Sequence, residues 1–303
     1  MRLLPLALLL GLALPAQSAS PKPPPKPWRS SAEVIAAAPA TDWREPAPEN
    51  LLVMELPQGR VLIELAPRFA PRHVANIRTL ARAGFWDGLA VLRVQDNYVA
   101  QWGDPEAEKN PAGAKPLPPS LPKPGIESAL PYKGLPIQAL SDRDGWAPVQ
   151  GFVDGFPVAA DPKRNQAWLS HCYGMVGAGR DMAVDSSNGA ELYAMIAPAR
   201  GLDLNVPLVG RVLQGIELLS SLPRGTGALG FYEKPEQRTP ITRVRLAADL
   251  PEAERPRVEV LRTDSPSWTA LLQARRWREG WFVHSHGVVD VCSVSVPVRE
   301  RGR

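Results

Sequence analysis

The sequence predicts a mainly β protein, an antiparallel barrel accompanied by two helices and followed by a small extension. Short apolar runs bounded by turn residues recur along most of the 303 residues. Helical spacing of apolar residues occurs in only two segments of the main body, 71–83 and 213–222. Hydrophobic content of 44% and charged content of 22% are those of an ordinary globular protein. A chain of this length holds one sizeable core plus extensions, or two small domains.

The first nineteen residues read as a signal peptide. Arg2 supplies a minimal positive start, and residues 3–14 form an apolar run too short to span a bilayer. Small residues over 15–20 then offer a cleavage region between Ala16 and Ser20. A periplasmic protein is expected, with no stable membrane insertion after cleavage; an uncleaved anchor is the alternative. No cysteine follows the apolar run, so a lipid anchor is not indicated.

Residues 20–49 are a proline-rich linker in which Ser30 and Glu33 have capping-box spacing ahead of a short helix. Residues 51–56 and 60–65 form a hairpin joined through Pro57-Gln58-Gly59. The first helix runs over 71–83, with proline in its first turn, Gly84 at its cap and Val74, Ile77, Leu80 and Ala81 as its core stripe. Strands follow at 90–94 and 98–102. Seven prolines between Pro105 and Pro124 rule out regular structure there, so 105–168 reads as an enlarged loop insertion with one or two short strands. Strands resume near 171–176, 191–196, 206–212 and 241–247. A second helix over 213–222 aligns Leu213, Ile216, Leu219 and Leu222 before Pro223 stops it. The main domain thus occupies 50–250. Beyond it, 251–303 reads as strand 257–261, amphipathic helix 266–276 and strand 288–296. Fifty residues alone bury a marginal core, so this extension is expected to pack on the barrel.

Charge excludes little else. The net charge of +4 is small despite a pI near 9.2, and the arginines are scattered apart from Arg275, Arg276 and Arg278. A solvated helix face explains that run, and no nucleic-acid partner is expected. His284 and His286 would share one strand face but have no third ligand, and His73 and His171 stand isolated, so no metal is expected. The glycines of 174–179 lack the order of a phosphate cradle, and no cofactor is expected. Cys172 and Cys292 either pair, tying the extension to the main domain, or remain two buried thiols.

The chemistry-bearing segment is Val91-Leu92-Arg93-Val94-Gln95-Asp96-Asn97-Tyr98-Val99-Ala100-Gln101-Trp102-Gly103-Asp104. It places one arginine and one glutamine among apolar and aromatic residues across two strands and a turn. Alternation sets Val99 and Gln101 on one face, which Tyr98 joins only if the Asp96-Asn97 turn redirects it. With 70–80 and Phe85-Trp86-Asp87-Gly88 upstream, and 174–179, Asn188-Gly189-Ala190-Glu191-Leu192-Tyr193 and 207–212 downstream, the chain resembles cyclophilin-type peptidyl-prolyl isomerases over about 50–104 and 170–248.

The resemblance implies a closed eight-stranded barrel with two capping helices. It also implies catalysis of Xaa–Pro rotation, with Arg93 as catalytic arginine and Gln101 as the glutamine that clamps the peptide backbone. Tyr98, Val99, Val176, Glu191, Tyr193 and Leu202 fall at substrate-binding positions. The implied partners are proline-containing, unfolded or partly folded exported polypeptides, acted on by a monomer. Some positions depart from the family pattern: Gly177 replaces an asparagine, Glu191 a glutamine, Gly201 a rim tryptophan and Val206 a histidine. A non-catalytic chaperone or protein-binding module on the same barrel is the alternative.

Overall fold

The computed structural model describes residue 23 and residues 28–107, 110, 112–119 and 121–301; the expected signal peptide lies outside them. Helix α1 (Ser31–Ala36) starts at Ser30, whose hydroxyl accepts from the Glu33 N–H while its own N–H donates to the Glu33 carboxylate at 2.7 Å. After strand β1 (Trp43–Arg44), β2 (Leu51–Leu56) and β3 (Gly59–Leu65) form the expected hairpin. Helix α2 (Pro71–Arg82) buries Val74, Ile77 and Leu80, and β4 (Ala90–Gln95) and β5 (Val99–Gly103) pair behind it.

The segment expected to be a loop with one or two strands carries a four-stranded antiparallel meander. Its strands are β6 (Gln138–Ala139), β7 (Val149–Val153), β8 (Phe156–Asp161) and β9 (Gln166–Leu169). The cause is local: Asp154 at φ 51° and Gly155 at φ 84° make a two-residue turn between Phe152-Val153 and Phe156-Pro157. Asp-Gly is among the strongest hairpin signals, because both central residues must adopt positive φ.

Strands β10 (Met175–Ala178), β11 (Leu192–Met195) and β12 (Leu208–Gln214) lead to α3 (Ile216–Ser220), then β13 (Thr239–Pro240) and β14 (Arg243–Leu246). Helix α3 is half the expected length, because residues up to Gln214 stay in β12 and Gly215 at φ 85° breaks the chain direction. In the extension, β15 (Val258–Leu261) and α4 (Pro266–Arg276) lie where expected, and β16 (Val298–Glu300) completes a sheet in the order β1-β15-β16. Residues 288–296 form no strand. Asp290 accepts from the N–H groups of Cys292 and Ser293, which curls the chain into a turn, and the Val291 N–H donates to the Gln150 side chain instead of a ladder.

The main sheet runs β13-β4-β5-β11-β10-β12-β3-β2-β14. Its two edge strands are separated only by Ile241 and Thr242, whose N–H groups donate to Leu89 and Glu55. The last strand therefore changes partner midway and joins both edges; counted once, it makes an eight-stranded barrel. Leu52, Met54, Ile63, Trp102 and Leu192 fill the interior with Ile77 and Leu80 from α2 and Leu219 from α3.

The barrel strands are buried on their outer faces too. Leu51, Val53, Leu62, Met175, Met195 and Leu208 point outward into a second core shared with Phe152, Val260, Trp268 and Leu271. This outer layer is stapled by the Cys172–Cys292 disulfide and by the nearly fully buried ion pair of Arg276 with Asp142. Arg44 bridges Glu64 at 2.6 Å and the Asp154 carbonyl at 2.6 Å, which ties the meander's turn to the barrel wall. The extension packs on the meander as well as on the barrel, with Trp268 edge-on to Phe152 at 4.8 Å.

Candidate functional site

One cross-strand row organises the outer face of the barrel. Arg93 on β4 stands opposite Gln101 on β5, Gln101 opposite Tyr193 on β11, and Tyr193 opposite Gly177 on β10. Residues so paired have Cβ atoms about 5 Å apart and share a face. Arg93 reaches that face through a bulge. Val91 and Val94 both point into the barrel although three residues apart, and the register shifts between Val91 and Arg93 to allow it.

The guanidinium is held in place from several sides. Arg93 Nε donates to the Leu229 carbonyl at 2.6 Å, Nη1 to Gln101 Oε1 at 3.0 Å and Nη2 to the Gln95 side chain. Its Cζ lies 5.5 Å from the Tyr98 ring centroid and 5.4 Å from that of Phe231. Burial pushes its pKa down from the ordinary arginine value, with Tyr98 and Glu191 opposing; arginine still keeps its proton in proteins. The Gln101 amide donates to Glu191 Oε1, so glutamine and arginine are linked in one line of hydrogen bonds.

Beside this row lies a hollow of about 420 Å³, lined by Tyr98, Val99, Tyr193, Leu202 and Val206 with Arg93 and Gln101 at one side. The Asp96-Asn97 turn, with Asn97 at φ 53°, swings Tyr98 to the rim. Arg180, Asp181 and Glu191 also border it.

The wall of the hollow rests on a buried polar chain. The Tyr193 hydroxyl lies 3.1 Å from His171 Nε2, and His171 Nδ1 lies 3.0 Å from Asp203 Oδ1. Asp203 also accepts from Arg200 Nε at 2.6 Å and from Trp168 Nε1 at 3.1 Å, and Arg200 pairs in turn with Asp144 at 3.0 Å. Burial pushes the Asp203 carboxyl up, but the His171 hydrogen bond and the Arg200 charge outweigh it and hold the group below the usual carboxylate range. Burial drives the Tyr193 hydroxyl well above the ordinary phenol range, so it stays a neutral hydrogen-bonding group. A Cβ at Gly177 would collide with the Tyr193 ring and hydroxyl, so the missing side chain makes the space that the ring occupies.

Arg93, Gln101, Tyr98, Val99, Glu191, Tyr193 and Leu202 are thus brought together as expected neighbours. Val176 is not. It is fully buried among Leu52, Ile63 and Val209 inside the barrel, because alternation on β10 gives the site face to Gly177. His171 is no isolated histidine but the link between Tyr193 and Asp203, and His73 is likewise paired, with Glu127 at 2.7 Å. Phe231 and Asp203 carry site contacts that the motifs did not single out; Gly177 was noted only as a departure from the family pattern, and the cross-strand register is what sets it opposite Tyr193. His284 and His286 meet edge to face at 4.7 Å in a loop, not on a strand. Among the described residues no three His, Cys, Asp or Glu side chains converge as a metal site would require, and no helix is long and apolar enough to cross a membrane.

Comparison with known proteins adds a family. The model of the family described as cyclophilin type peptidyl-prolyl cis-trans isomerase/CLD matches residues 51–246. A probable peptidyl-prolyl cis-trans isomerase of Brucella suis is 46% identical over 57 residues, 19% of this chain and 29% of that protein. The chain thus matches less than a third of the length of that relative. Human peptidyl-prolyl cis-trans isomerase-like 1 is 23% identical over 217 residues, 72% of this chain and 99% of that protein. The crystal structure of cyclophilin AquaCyp293 from Hirschia baltica aligns with a TM-score of 0.69 at 28% identity, covering 91% of this chain and 99% of that one. That coverage extends beyond residues 51–246, so the likeness takes in parts of the terminal segments as well as the barrel.

Proposed function

The chain belongs to the cyclophilin-type peptidyl-prolyl cis-trans isomerase family, and on that premise we propose that it catalyses rotation about Xaa–Pro bonds in the hollow beside Arg93. Such a bond resists rotation by ~18–20 kcal/mol because the nitrogen lone pair is delocalised into the carbonyl. Rotation requires no proton donor with a tuned pKa and no covalent intermediate. It requires an apolar cup for the ring, a donor that favours a pyramidal prolyl nitrogen, and a grip on the flanking peptide.

The Arg93–Gln101–Tyr193 row is the observation that carries this reading. Tyr98, Val99, Tyr193 and Leu202 form the cup. Bonds to Leu229, Gln101 and Gln95 use three of the guanidinium's five N–H donors and leave others on the terminal nitrogens for the substrate. Gln101, held by Arg93 and Glu191, grips the backbone beside it. Preferential binding of the twisted state by ~7 kcal/mol corresponds to ~10⁵-fold acceleration.

The substrates in this reading are unfolded or partly folded exported polypeptides, whose uncatalysed prolyl isomerisation takes tens to hundreds of seconds. Two features support a periplasmic location: the apolar run over 3–14 with small residues after it, and a disulfide, which suits an oxidising compartment. Exchange NMR or a protease-coupled assay on an Ala-Pro peptide tests the chemistry. Arg93→Ala is expected to lower kcat/KM by about 10²–10³-fold; equal rates for the two proteins would sink the enzyme reading. The alternative, a non-catalytic chaperone or protein-binding module, draws on the altered rim positions such as Gly201 and Val206 and on the insertion over 105–168, and client binding with no wild-type turnover would select it.

A further inference from the structure

We propose that the insertion supplies a substrate-binding residue to this site: Trp146, as an aromatic subsite for the peptide flank that leaves the hollow over Leu202. The inference rests on the isomerase reading and names what that site selects. Trp146 is 60% exposed, whereas the Asp144 side chain two residues before it and Ala147 after it are buried. Its loop is not loose. Asp144 grips Arg200 through both carboxylate oxygens at 3.4 and 3.0 Å, and both side chains are more than nine-tenths buried. Arg200 and Leu202 belong to one helical turn, and Leu202 lines the hollow. Between them sits Gly201, where an added Cβ would lie 4.0 Å from Trp146 Cη2 and near nothing else. The edge of the indole therefore lies over Gly201, one residue from Leu202.

A rigidly mounted, solvent-facing indole beside an apolar hollow is the arrangement found at binding hot spots, where tryptophan buries a large area at little entropic cost. Phe231 packs against the Arg93 guanidinium, its ring centroid 5.4 Å from Cζ, so a second partly exposed aromatic borders the arginine. An apolar or aromatic side chain of the peptide fits the Trp146 bank.

The test walks Phe against Gly through the three positions on each side of proline in a short peptide, measuring kcat/KM with wild type and Trp146→Ala. One position is expected to prefer Phe, and that preference is expected to fall about tenfold in Trp146→Ala. Gly201 has no left-handed φ and open space above it, so adding Gly201→Trp to Trp146→Ala is expected to restore the preference. A preference unchanged at every position in Trp146→Ala overturns the proposal. A wild type without turnover fails the isomerase reading separately. The subsite is then read from the Trp146 indole N–H resonance, assigned with Trp146→Phe, on titration with the Phe peptides. Displacement there supports the subsite and its absence overturns it.

Discussion

The inside of the barrel and the layer wrapped around it are held by different means. Inside, the filling is apolar from end to end, with Leu52, Met54, Ile63, Leu65, Trp102 and Leu192 on the strands and Ile77 and Leu80 from α2 closing over them. Outside, apolar contacts alternate with buried polar ties: Arg276 on Asp142, Arg44 and Arg211 on Glu64, Arg200 between Asp144 and Asp203, and a disulfide. The difference teaches where the site comes from. The barrel's outer row supplies Arg93 and Gln101 and its loops His171 and Asp203, and the layer backs these with Trp168 on Asp203 and Asp144 on Arg200.

The comparison breaks most readily at the disulfide. The bond closes a loop of 120 residues running from beside His171 to the extension. The chain-entropy account assigns such a loop about 4–5 kcal/mol. Replacing both cysteines by serine is expected to lower stability by that amount in urea unfolding. If the layer and barrel are one cooperative unit, the whole transition moves; if not, an early transition of the layer separates from an unmoved barrel.

The next largest effect is expected at Asp142. Removing one partner of a buried pair strands the other charge, at a cost of about 3–5 kcal/mol, whereas an apolar pair of similar volume can be neutral. Arg276 and Asp142 have side-chain exposures of 4% and 2%. Asp142→Ala is therefore expected to destabilise strongly, and Asp142→Leu with Arg276→Met to recover most of the loss. A small effect for Asp142→Ala alone would show that the layer opens to water at this point.

Gly177→Ala tests the site wall itself. Its methyl would meet the Tyr193 ring between two paired strands, neither of which can yield easily. Overpacking of this kind costs about 1–3 kcal/mol. Displacing the ring that forms the hollow's wall is expected to lower kcat/KM on Xaa–Pro peptides about tenfold or more. Unchanged kcat/KM would remove Tyr193 from the binding wall.

How much of this could be read from the chain follows the same division. Strand and helix periods exposed the barrel because its pattern is local: the hairpin over 51–65, the α2 stripe and the pair of strands around Asp96-Asn97 all sit where the residues place them. In the run Leu51-Leu52-Val53-Met54 both strand faces are apolar, and the structure covers both, Leu52 and Met54 inside the barrel and Leu51 and Val53 under the outer layer. What covers the outer face was not legible, since the meander's prolines masked its strands and only Asp154-Gly155 marked a turn. The motif brought Arg93, Gln101 and Tyr193 together, but it set Val176 in the hollow, whereas Val176 points into the barrel and its neighbour Gly177 lies against Tyr193. A motif gives positions along a strand, while the facing side depends on a register fixed by the neighbours. His171 looked isolated because its partners, Tyr193 and Asp203, lie 22 and 32 residues away in sequence.

The smallest effect concerns a group near α2's first turn, away from the site. His73 is fully buried, its N–H donates to Glu127 at 2.9 Å and its Nδ1 lies 2.7 Å from the same carboxylate. Burial dominates and pulls the imidazole pKa below its ordinary 6.5, with the Glu127 contacts opposing. The folded state therefore resists protonation, while the unfolded chain takes up a proton once the pH drops through about 6.5. Stability from this group is present above that pH and is lost as the pH falls from there toward the depressed folded value, by at most ~1.4 kcal/mol per pH unit. Glu127, held below its usual range by backbone and side-chain donors from His73 and Arg72 that outweigh burial, extends the decline at lower pH in the same sense. Urea unfolding at pH 7 and pH 5.5 is expected to show the drop in wild type and a flatter dependence in His73→Gln. An equal slope in both proteins would mean that folding leaves the His73 pKa unshifted, with the Glu127 contacts cancelling burial.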